Sequence, residues 1–352
     1  MRSAGGYSGE INTIRTAEAV RAGGCRQQAA LPTTVPQTRR NLRGEDPQRG
    51  RIALAVVTRD RPDAFARFAL AGLREAAAAG HEVVVVDQSA GAETERLVRK
   101  VSGARHVRSG PGLARGRNVA VRETTAPIVA FTDDDVAVDP EWLEQIARAF
   151  DKADRVGAVC GRAVTPDGAL LPGSKSGVYE WPASPFELGS GFNFAFRREA
   201  LADAGLFDEE LGAGARFEAG EDTDMLYRVL RARWRVVCSD EITVVHHDLR
   251  PRDELLRLHY GYGLGAGAQT GKHLAGGDRT ALAIAGRHAG RHVLTLARAA
   301  ATLRPRLAGL QVAYLSGMAA GLVRASGRGR GKPPGSLPEG PDATARGRAP
   351  RA

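Results

Sequence analysis

Three consecutive carboxylates, Asp133, Asp134 and Asp135, come directly after the apolar run 127–132 (PIVAFT). Carboxylate oxygens are the ligands that Mg²⁺ and Mn²⁺ prefer, and such ions typically connect one or two protein carboxylates to the phosphates of a substrate. A short acidic motif on its own is more often a solvated turn. The motif therefore indicates a metal and phosphate site only if other parts of the sequence support one.

A second pair of carboxylates, Glu221 and Asp222, follows Gly220 and begins the amphipathic stretch 223–231. A carboxylate beside a substrate hydroxyl can accept its proton as a general base. Acidic residues in the first turn of a helix also stabilise that helix without any catalytic role. The pair is a candidate base whose role depends on the rest of the site.

The elements that position these residues follow from the hydrophobic pattern, in which short apolar runs alternate with amphipathic stretches. The predicted strands are 52–57, 82–87, 105–108 and 127–132, and the predicted helices between them are 63–79, 92–102 and 113–123. Repeated units of this kind favour a mainly parallel, doubly wound α/β sheet. Polar residues follow three of the strands, and ligands of such sheets bind at the carboxyl ends of the strands.

Two common phosphate-binding motifs are absent from the sequence. No GxGxxG follows the first predicted strand, and no GxxxxGK[ST] occurs in the chain. Dinucleotide-dependent dehydrogenases and P-loop NTPases would therefore lack their usual phosphate cradle. A metal ion held by the three aspartates is the alternative that the sequence offers.

Eight motifs in a fixed order resemble a family-2 glycosyltransferase of the GT-A fold, of the bacterial type with a C-terminal helical extension. They are AVVTRDRP (55–62), VVVVDQSA (83–90), GLARGRNVAV (112–121), VAFTDDDVAVDPEWLE (129–144), GSGFNFAFRREAL (189–201), GLFDEELG (205–212), GEDTDMLYRVL (220–230) and VVHHDLR (244–250). The resemblance implies a Rossmann-like, mostly parallel mixed sheet flanked by helices. It also implies an inverting transfer of a sugar from a nucleotide diphosphate, with Mg²⁺ or Mn²⁺ neutralising the leaving diphosphate.

The resemblance assigns roles to single residues. Donor binding falls on Thr58, Arg61, Asp87, Arg115, Asp133 and Asp134, with Arg117 a weaker candidate. Metal binding falls on Asp135, Asp133 and His246, with His247 the alternative to His246. The preferred base is Asp222 and the alternate is Glu221, whereas Asn193 and Trp181 are candidates for the acceptor site. Structural interpretations stay open, because Asp87 is equally a turn residue and aromatics such as Trp181 more commonly fill a lid or a core.

Charge and composition divide the chain into four parts. Residues 1–50 carry 8 arginines against 4 acids, 51–250 carry 26 basic against 31 acidic residues, and 251–352 carry 16 against 5, within a total of +10. We expect a disordered leader at 1–50 without a secretory signal, a catalytic domain at 51–250, a helical extension at 251–324 and a disordered basic tail at 325–352. Three widely spaced cysteines suggest free thiols in a reducing compartment, which predicts a cytoplasmic protein.

The extension could either pack on the catalytic domain or lie on a membrane. Its stretch 307–323 is uncharged but contains Gln311, Ser316 and three glycines, too polar for a convincing membrane span. Arginines flank this stretch on both sides, which suits an anionic membrane surface. The predicted partners are therefore a nucleotide-sugar donor, a lipid-linked or envelope glycan acceptor and an anionic membrane on its inner face.

Other classes of function remain open at this stage. The chain could be a non-catalytic binder of nucleotide sugars or anionic surfaces, or a sugar nucleotidyltransferase, although 58–62 does not form the Gly-rich phosphate loop expected of the latter. The basic tail could also bind nucleic acid, but the acidic central region argues against a nucleic-acid binder, and nucleic acid is not a predicted partner. The resemblance makes UDP-sugar the default donor.

Overall fold

The computed structural model describes residues 52–171, 173, 175–247 and 254–326. Its strands are β1 (Ile52–Thr58), β2 (Glu82–Asp87), β3 (Ala104–Arg108), β4 (Ile128–Asp133), β5 (Val136–Ala137), β6 (Val156–Val164), β7 (Gly177–Tyr179), β8 (Asn193–Arg197) and β9 (Arg235–His246). The predicted leader and most of the predicted basic tail lie outside the described residues.

These nine strands of the described part form one mixed sheet, ordered β3-β2-β1-β4-β8-β6-β9-β5, with β7 on β9. The first four strands are parallel, as the alternating pattern predicted. Strand β8 runs antiparallel between β4 and β6, while β6 and β9 are parallel. The fold class predicted from the sequence, an α/β sheet of the GT-A type with C-terminal helices, is confirmed.

Helices cover both faces of the sheet. The first helix, α1, begins as Pro62–Ala64, passes through a π-helical turn at Phe65–Ala69 and continues as Leu70–Ala78. The other helices of this part are α2 (Glu93–Val98), α3 (Leu113–Arg122), α4 (Trp142–Phe150), α5 (Arg198–Ala204) and α6 (Glu221–Arg231). One core lies between the sheet and α1, α2 and α4, and the second lies between the opposite face and α3, α5 and α6.

Three long helices form the extension, namely α7 (Leu255–Ala275), α8 (Arg279–Ala301) and α9 (Pro305–Ser326). Successive glycines of α7, at 263, 267 and 271, face successively later residues of α9, so these two helices run parallel and in backbone contact. Helix α9 continues through Ala325, which is buried, and Ser326. The predicted boundary at residue 325 therefore falls within α9.

None of the helices within the described ranges has the length and apolar character that crossing a membrane requires.

Candidate active site

The strand ends bring the predicted polar residues to one edge of the sheet. In the register of the parallel strands, Thr58 lies beside Asp87, and Val57 lies beside Asp133. These strands are buried apolar runs, and each run ends where the chain turns polar. The site therefore begins where the sheet stops.

Asp134 is the structural member of the three aspartates. It is buried, accepts a hydrogen bond from Thr58 Oγ1 at 2.7 Å and pairs with Arg61 Nη1 at 2.9 Å. Burial raises the pKa of Asp134, and the bonds from Thr58 and Arg61 oppose that rise. Thr58 is itself buried with its hydroxyl bonded to Asp134, so this pair supports the turn.

Asp135 lies close to His246, the other residue predicted to bind the metal ion with it. Strand β5 pairs with the end of β9 so that Val136 lies opposite His246, and Asp135 Oδ1 lies 3.4 Å from His246 Nε2. Its other oxygen accepts from Arg61 Nη2 at 2.6 Å. Burial opposes ionisation of Asp135, but the bonds from His246 and Arg61 outweigh it and lower its pKa to about 2.

The two neighbouring histidines have different surroundings. His246 is buried and stacks on Phe192 with ring centroids 4.4 Å apart, which directs its Nε2 to Asp135. His247 instead stacks on Phe68 at 3.8 Å. Of the two rings, His246 is therefore the one positioned to bind a metal ion beside Asp135.

The donor set at this edge suits a divalent cation, although no preformed cluster of three metal-binding side chains occurs among the described residues. Two ligands about 2.1 Å from one octahedral ion lie about 3 Å apart, close to the 3.4 Å between Asp135 and His246. Asp133 keeps 30% of its side chain exposed at the mouth of the site. Burial and then the nearby Asp135 raise the pKa of Asp133 to about 6 against the attraction of Arg117, so a bound cation would relieve this repulsion.

Arg117 connects the three aspartates to the second acidic pair. Its guanidinium is 2% exposed, donates to Glu221 Oε1 at 2.8 Å and lies 3.8 Å from Asp133 Oδ1. It also lies over the ring of Phe194 at 4.9 Å. Burial, followed by the charge of Asp222, raises the pKa of Glu221 to about 7, and Arg117 opposes this rise.

Asp222 is the more accessible carboxylate of the pair. Its Oδ2 accepts from the backbone N–H of Gly191 at 3.0 Å, and its Oδ1 accepts from the N–H of Thr223 at 2.7 Å. The carbonyl of the same Gly191 accepts from Arg117 at 2.7 Å. One peptide segment thus fixes both Asp222 and the arginine that pairs with Glu221.

Two predicted donor contacts are already engaged with protein. Asp87 is fully buried, accepting from the N–H of Ser89 at 2.9 Å and bonding His106 Nε2 at 3.0 Å. Burial opposes these bonds, which nevertheless lower the pKa of Asp87. Arg115 pairs with Glu209 at 2.9 Å and is half exposed. Its side chain therefore reaches the surface, whereas that of Asp87 does not.

The two residues predicted for the acceptor site both have contacts within the protein. Asn193 is buried, accepts from Trp142 Nε1 and donates to the carbonyls of Arg162 and Ile242, so its amide joins helix α4 to strands β6 and β9. Trp181 packs edge-on against Tyr227 of α6, with centroids 5.2 Å apart, beside the start of α8. The pattern showed polar and aromatic residues near the right motif but not which way they face.

Sequence reasoning also missed a structural role for Asn118. Its amide donates to the carbonyl of Phe207 and accepts from the N–H of the same residue, which fixes the loop before α6 to α3. A buried Asn one residue after Arg117 had no sequence signal, because its partner is 89 positions away.

The Arg117–Glu221 pair yields a stability prediction. Replacing Arg117 with leucine should lower the free energy of unfolding by about 3–5 kcal/mol, because it leaves the buried carboxylate without its partner. The matched change at exposed Arg115 should cost about 1 kcal/mol or less. Urea unfolding of both variants measures the difference, and equal midpoints would contradict a buried ion pair.

Comparisons with known proteins agree with this architecture. Residues 54–204 match the family model described as Glycosyl transferase family 2. The solved structure of a mannosyltransferase, PcManGT from Pyrobaculum calidifontis, in complex with GDP-Man and Mn2+, is 18% identical; the match covers 78% of this chain and 87% of that chain, with a TM-score of 0.55. S. aureus TarS 1-349 in complex with UDP-GlcNAc is 18% identical over 61% of this chain and 65% of that chain, but its TM-score of 0.47 supports no argument. A comparison with curated proteins finds no significant match.

At this level of identity the mannosyltransferase shows a shared GT-A fold and nothing finer. The family match and the shared fold together indicate a transferase, and residues 54–204 are similar to glycosyltransferase family 2. The matched segment ends before Glu221, Asp222 and His246. The roles of these three residues therefore rest on the geometry described above.

Proposed function

We propose that this protein is a metal-dependent inverting glycosyltransferase that moves a sugar from a nucleotide-diphosphate sugar to a hydroxyl group. The observation that carries the proposal is the bridge made by Arg117, which lies between the carboxylate of Asp133 and that of Glu221. Through this one buried cation, a potential metal ligand, Asp133, lies near Glu221, the neighbour in sequence of the candidate base Asp222. An inverting displacement needs such a base opposite the leaving group.

The residues of the chain divide the work as follows. Asp133, Asp135 and His246 would hold Mg²⁺ or Mn²⁺, which supplies charge neutralisation for the departing diphosphate. Asp222 accepts the proton of the acceptor hydroxyl. The oxygen of that hydroxyl forms a bond to the anomeric carbon of the donor, while the bond between the anomeric carbon and the diphosphate oxygen breaks. Gly191 and Thr223 hold the Asp222 carboxylate through their N–H groups. Glu221 remains paired with Arg117 and keeps that cation in place.

The donor is best found by screening. Because PcManGT was solved with GDP-Man, GDP-sugars join the UDP-sugars that the family resemblance makes the default. Release of nucleoside diphosphate from UDP-, GDP- and dTDP-sugars with Mg²⁺ or Mn²⁺ needs no acceptor, since water can replace it. Metal-dependent release supports the proposal. Binding without release would favour a non-catalytic binder, and release of pyrophosphate from a nucleoside triphosphate and a sugar phosphate would favour a nucleotidyltransferase.

The acceptor proposed is a lipid-linked or envelope glycan at the inner face of the cell membrane, and the surface of the extension supports it. Of the eleven exposed large apolar side chains in the described residues, nine lie in the extension, and Leu303, 88% exposed between α8 and α9, is the most exposed. Residues 279–326 contain seven arginines and no acid. Apolar side chains among cations suit the surface of an anionic membrane.

A vesicle experiment tests this placement. The full-length protein should sediment with phosphatidylglycerol vesicles at low salt and less at high salt, and weakly with phosphatidylcholine. Replacing both Arg304 and Arg306 with glutamine should weaken binding about 10- to 30-fold, since each basic residue near the surface contributes about 1 kcal/mol. The same double change at exposed Arg96 and Arg99 of α2 is the control and should have no effect. Full recovery in the supernatant under every condition would reject the membrane role.

A further inference from the structure

The helical extension contacts the catalytic domain at the start of α6, the helix whose first turn contains the candidate base Asp222. Gly220, with φ of +94°, immediately precedes α6, and a Cβ added there would lie 3.0 Å from the backbone of Gly265 in α7. A Cβ added at Gly265 would lie 2.2 Å from the carbonyl oxygen of Ala219. The two backbones are therefore in direct contact, and any side chain at Gly265 would force them apart.

Polar contacts between α7 and the first turn of α6 extend this backbone contact. Thr223, next to Asp222, donates its hydroxyl to Gln269 Oε1 at 3.0 Å, and Gln269 is buried. One turn later in α7, His273 Nε2 lies 2.8 Å from Asp224 Oδ1, whose other oxygen accepts from Arg228 at 2.8 Å. Residues on both sides of Asp222 in sequence are thus held by successive turns of α7.

The same helix also fixes the loop that precedes α6. Lys272 Nζ lies 2.5 Å from Asp208 and 2.6 Å from Glu210. Apolar contacts support these ion pairs, because Leu211 and Phe217 share a buried cluster with Leu264 and Ala268. The loop, the turn and the first residues of α6 all rest on α7.

We propose that Gly265, Gln269 and His273 are positioning residues that hold the start of α6 and thereby the carboxylate of Asp222, so that the extension is part of the catalytic site. The inference rests on the proposed function for its kinetic consequences but not for its structural ones. It predicts that a chain ending before α7 would lose the orientation of its base. Asp222 has its own contacts with Gly191 and Thr223, and Thr223 is the residue through which Gln269 acts.

Two substitutions test the proposal in the full-length protein. Gln269→Leu removes the acceptor of the Thr223 hydroxyl at nearly constant size. Gly265→Ala inserts a methyl group where the backbones of α7 and of the turn before α6 leave no room. We expect kcat to fall about 10-fold in the first and about 100-fold in the second, the range in which small displacements of a reacting group act. The KM for the donor and the metal affinity should remain within about twofold. The probe is release of nucleoside diphosphate from a panel of UDP-GlcNAc, UDP-glucose, GDP-mannose and dTDP-glucose.

Glycine variants elsewhere in the extension are matched controls. Gly286 of α8 has open space where a Cβ would be, so Gly286→Ala should leave kcat unchanged. Gly267 faces α9 instead, with Met318 O only 1.9 Å from an added Cβ, so Gly267→Ala should lower the melting temperature by separating α7 from α9. Comparing the two with Gly265→Ala separates damage to the extension from displacement of the base.

Two further measurements distinguish positioning from loss of folded protein. Thr223→Val should lower kcat as Gln269→Leu does, Thr223→Ser should restore it, and the combination of Thr223→Val with Gln269→Leu should cost no more than either alone. Amide hydrogen exchange at residues 219–226 should be faster in Gly265→Ala and Gln269→Leu than in Gly286→Ala. Additive kinetic effects, or unchanged exchange at 219–226, would overturn the inference. Hydrogen exchange can be measured without turnover. If the wild type releases no nucleotide, the proposed function is refuted, and the exchange result still decides whether α7 positions the start of α6.

Discussion

Asp222→Asn should lower the rate of sugar transfer by about 10²- to 10⁴-fold, the usual contribution of a general base, while donor binding and metal affinity stay close to those of the wild type. An asparagine oxygen can keep one of the two N–H bonds that the carboxylate accepts, so we expect the fold to survive the loss of the other at a cost of about 1 kcal/mol. What is lost is the capacity to take the proton of the acceptor hydroxyl. Single-turnover transfer, with donor binding measured separately by calorimetry, would show the two effects apart.

The matched change Glu221→Gln is the control for this assignment. Glu221 is buried and bonded to Arg117, so its neutral replacement should chiefly alter the stability of the Arg117 site. A variant that is folded but less stable, and that retains more activity than Asp222→Asn, is the expected result. If Glu221→Gln were the less active of the two while Asp222→Asn kept wild-type rates, the roles of the two residues would be exchanged.

Asp135→Asn should abolish most metal-dependent donor binding without unfolding the protein. The substitution keeps the shape of the side chain but removes the charge that faces His246 at 3.4 Å. Loss of outer-shell partners alone commonly weakens metal affinity 10- to 100-fold, so loss of a direct ligand should reach at least about that range. Titration of Mn²⁺ followed by electron paramagnetic resonance gives the affinity directly.

Two other substitutions serve as controls for Asp135→Asn. Asp63→Asn, an exposed carboxylate at the start of α1, should bind Mn²⁺ as the wild type does. Asp134→Asn keeps an oxygen that can accept from Thr58 but removes the charge that pairs with Arg61, and it should lower the melting temperature. Full activity in the presence of EDTA would eliminate a metal from the reaction altogether.

The elements and the edge of the site could be predicted from the sequence because both depend on local signals. Buried parallel strands appear as apolar runs, and their polar exits at Thr58, Asp87 and Asp133 mark where the sheet ends. The fold class followed from the repetition of these units. Which of two adjacent histidines faces Asp135 could not be predicted, because stacking on Phe192 and on Phe68 decides it.

Contacts between distant parts of the chain account for what was missed. Arg117 was only a weaker candidate for donor binding, because its partner Glu221 lies 104 positions away and the sequence does not show that both are buried. Asn193 and Trp181 were placed in the acceptor site by their motif, whereas Trp142 and Tyr227 determine where they pack. Whether the extension packs on the catalytic domain stayed open at the level of sequence, since glycines at helical spacing give no indication of which backbone they approach.

The place of β9 in the sheet has a consequence for how the protein is made. This strand is the last of the nine to leave the ribosome, but it belongs in the interior of the sheet, between β6 and β5. At about 5–20 residues per second, the roughly 70 residues between β6 and β9 take about 4–14 s to synthesise. During that time β6 keeps an open, apolar edge of the kind that pairs with other chains. Nascent chains stalled before Arg235 should therefore be captured by chaperones, and those stalled far enough beyond His246 for β9 to have emerged should be released from them.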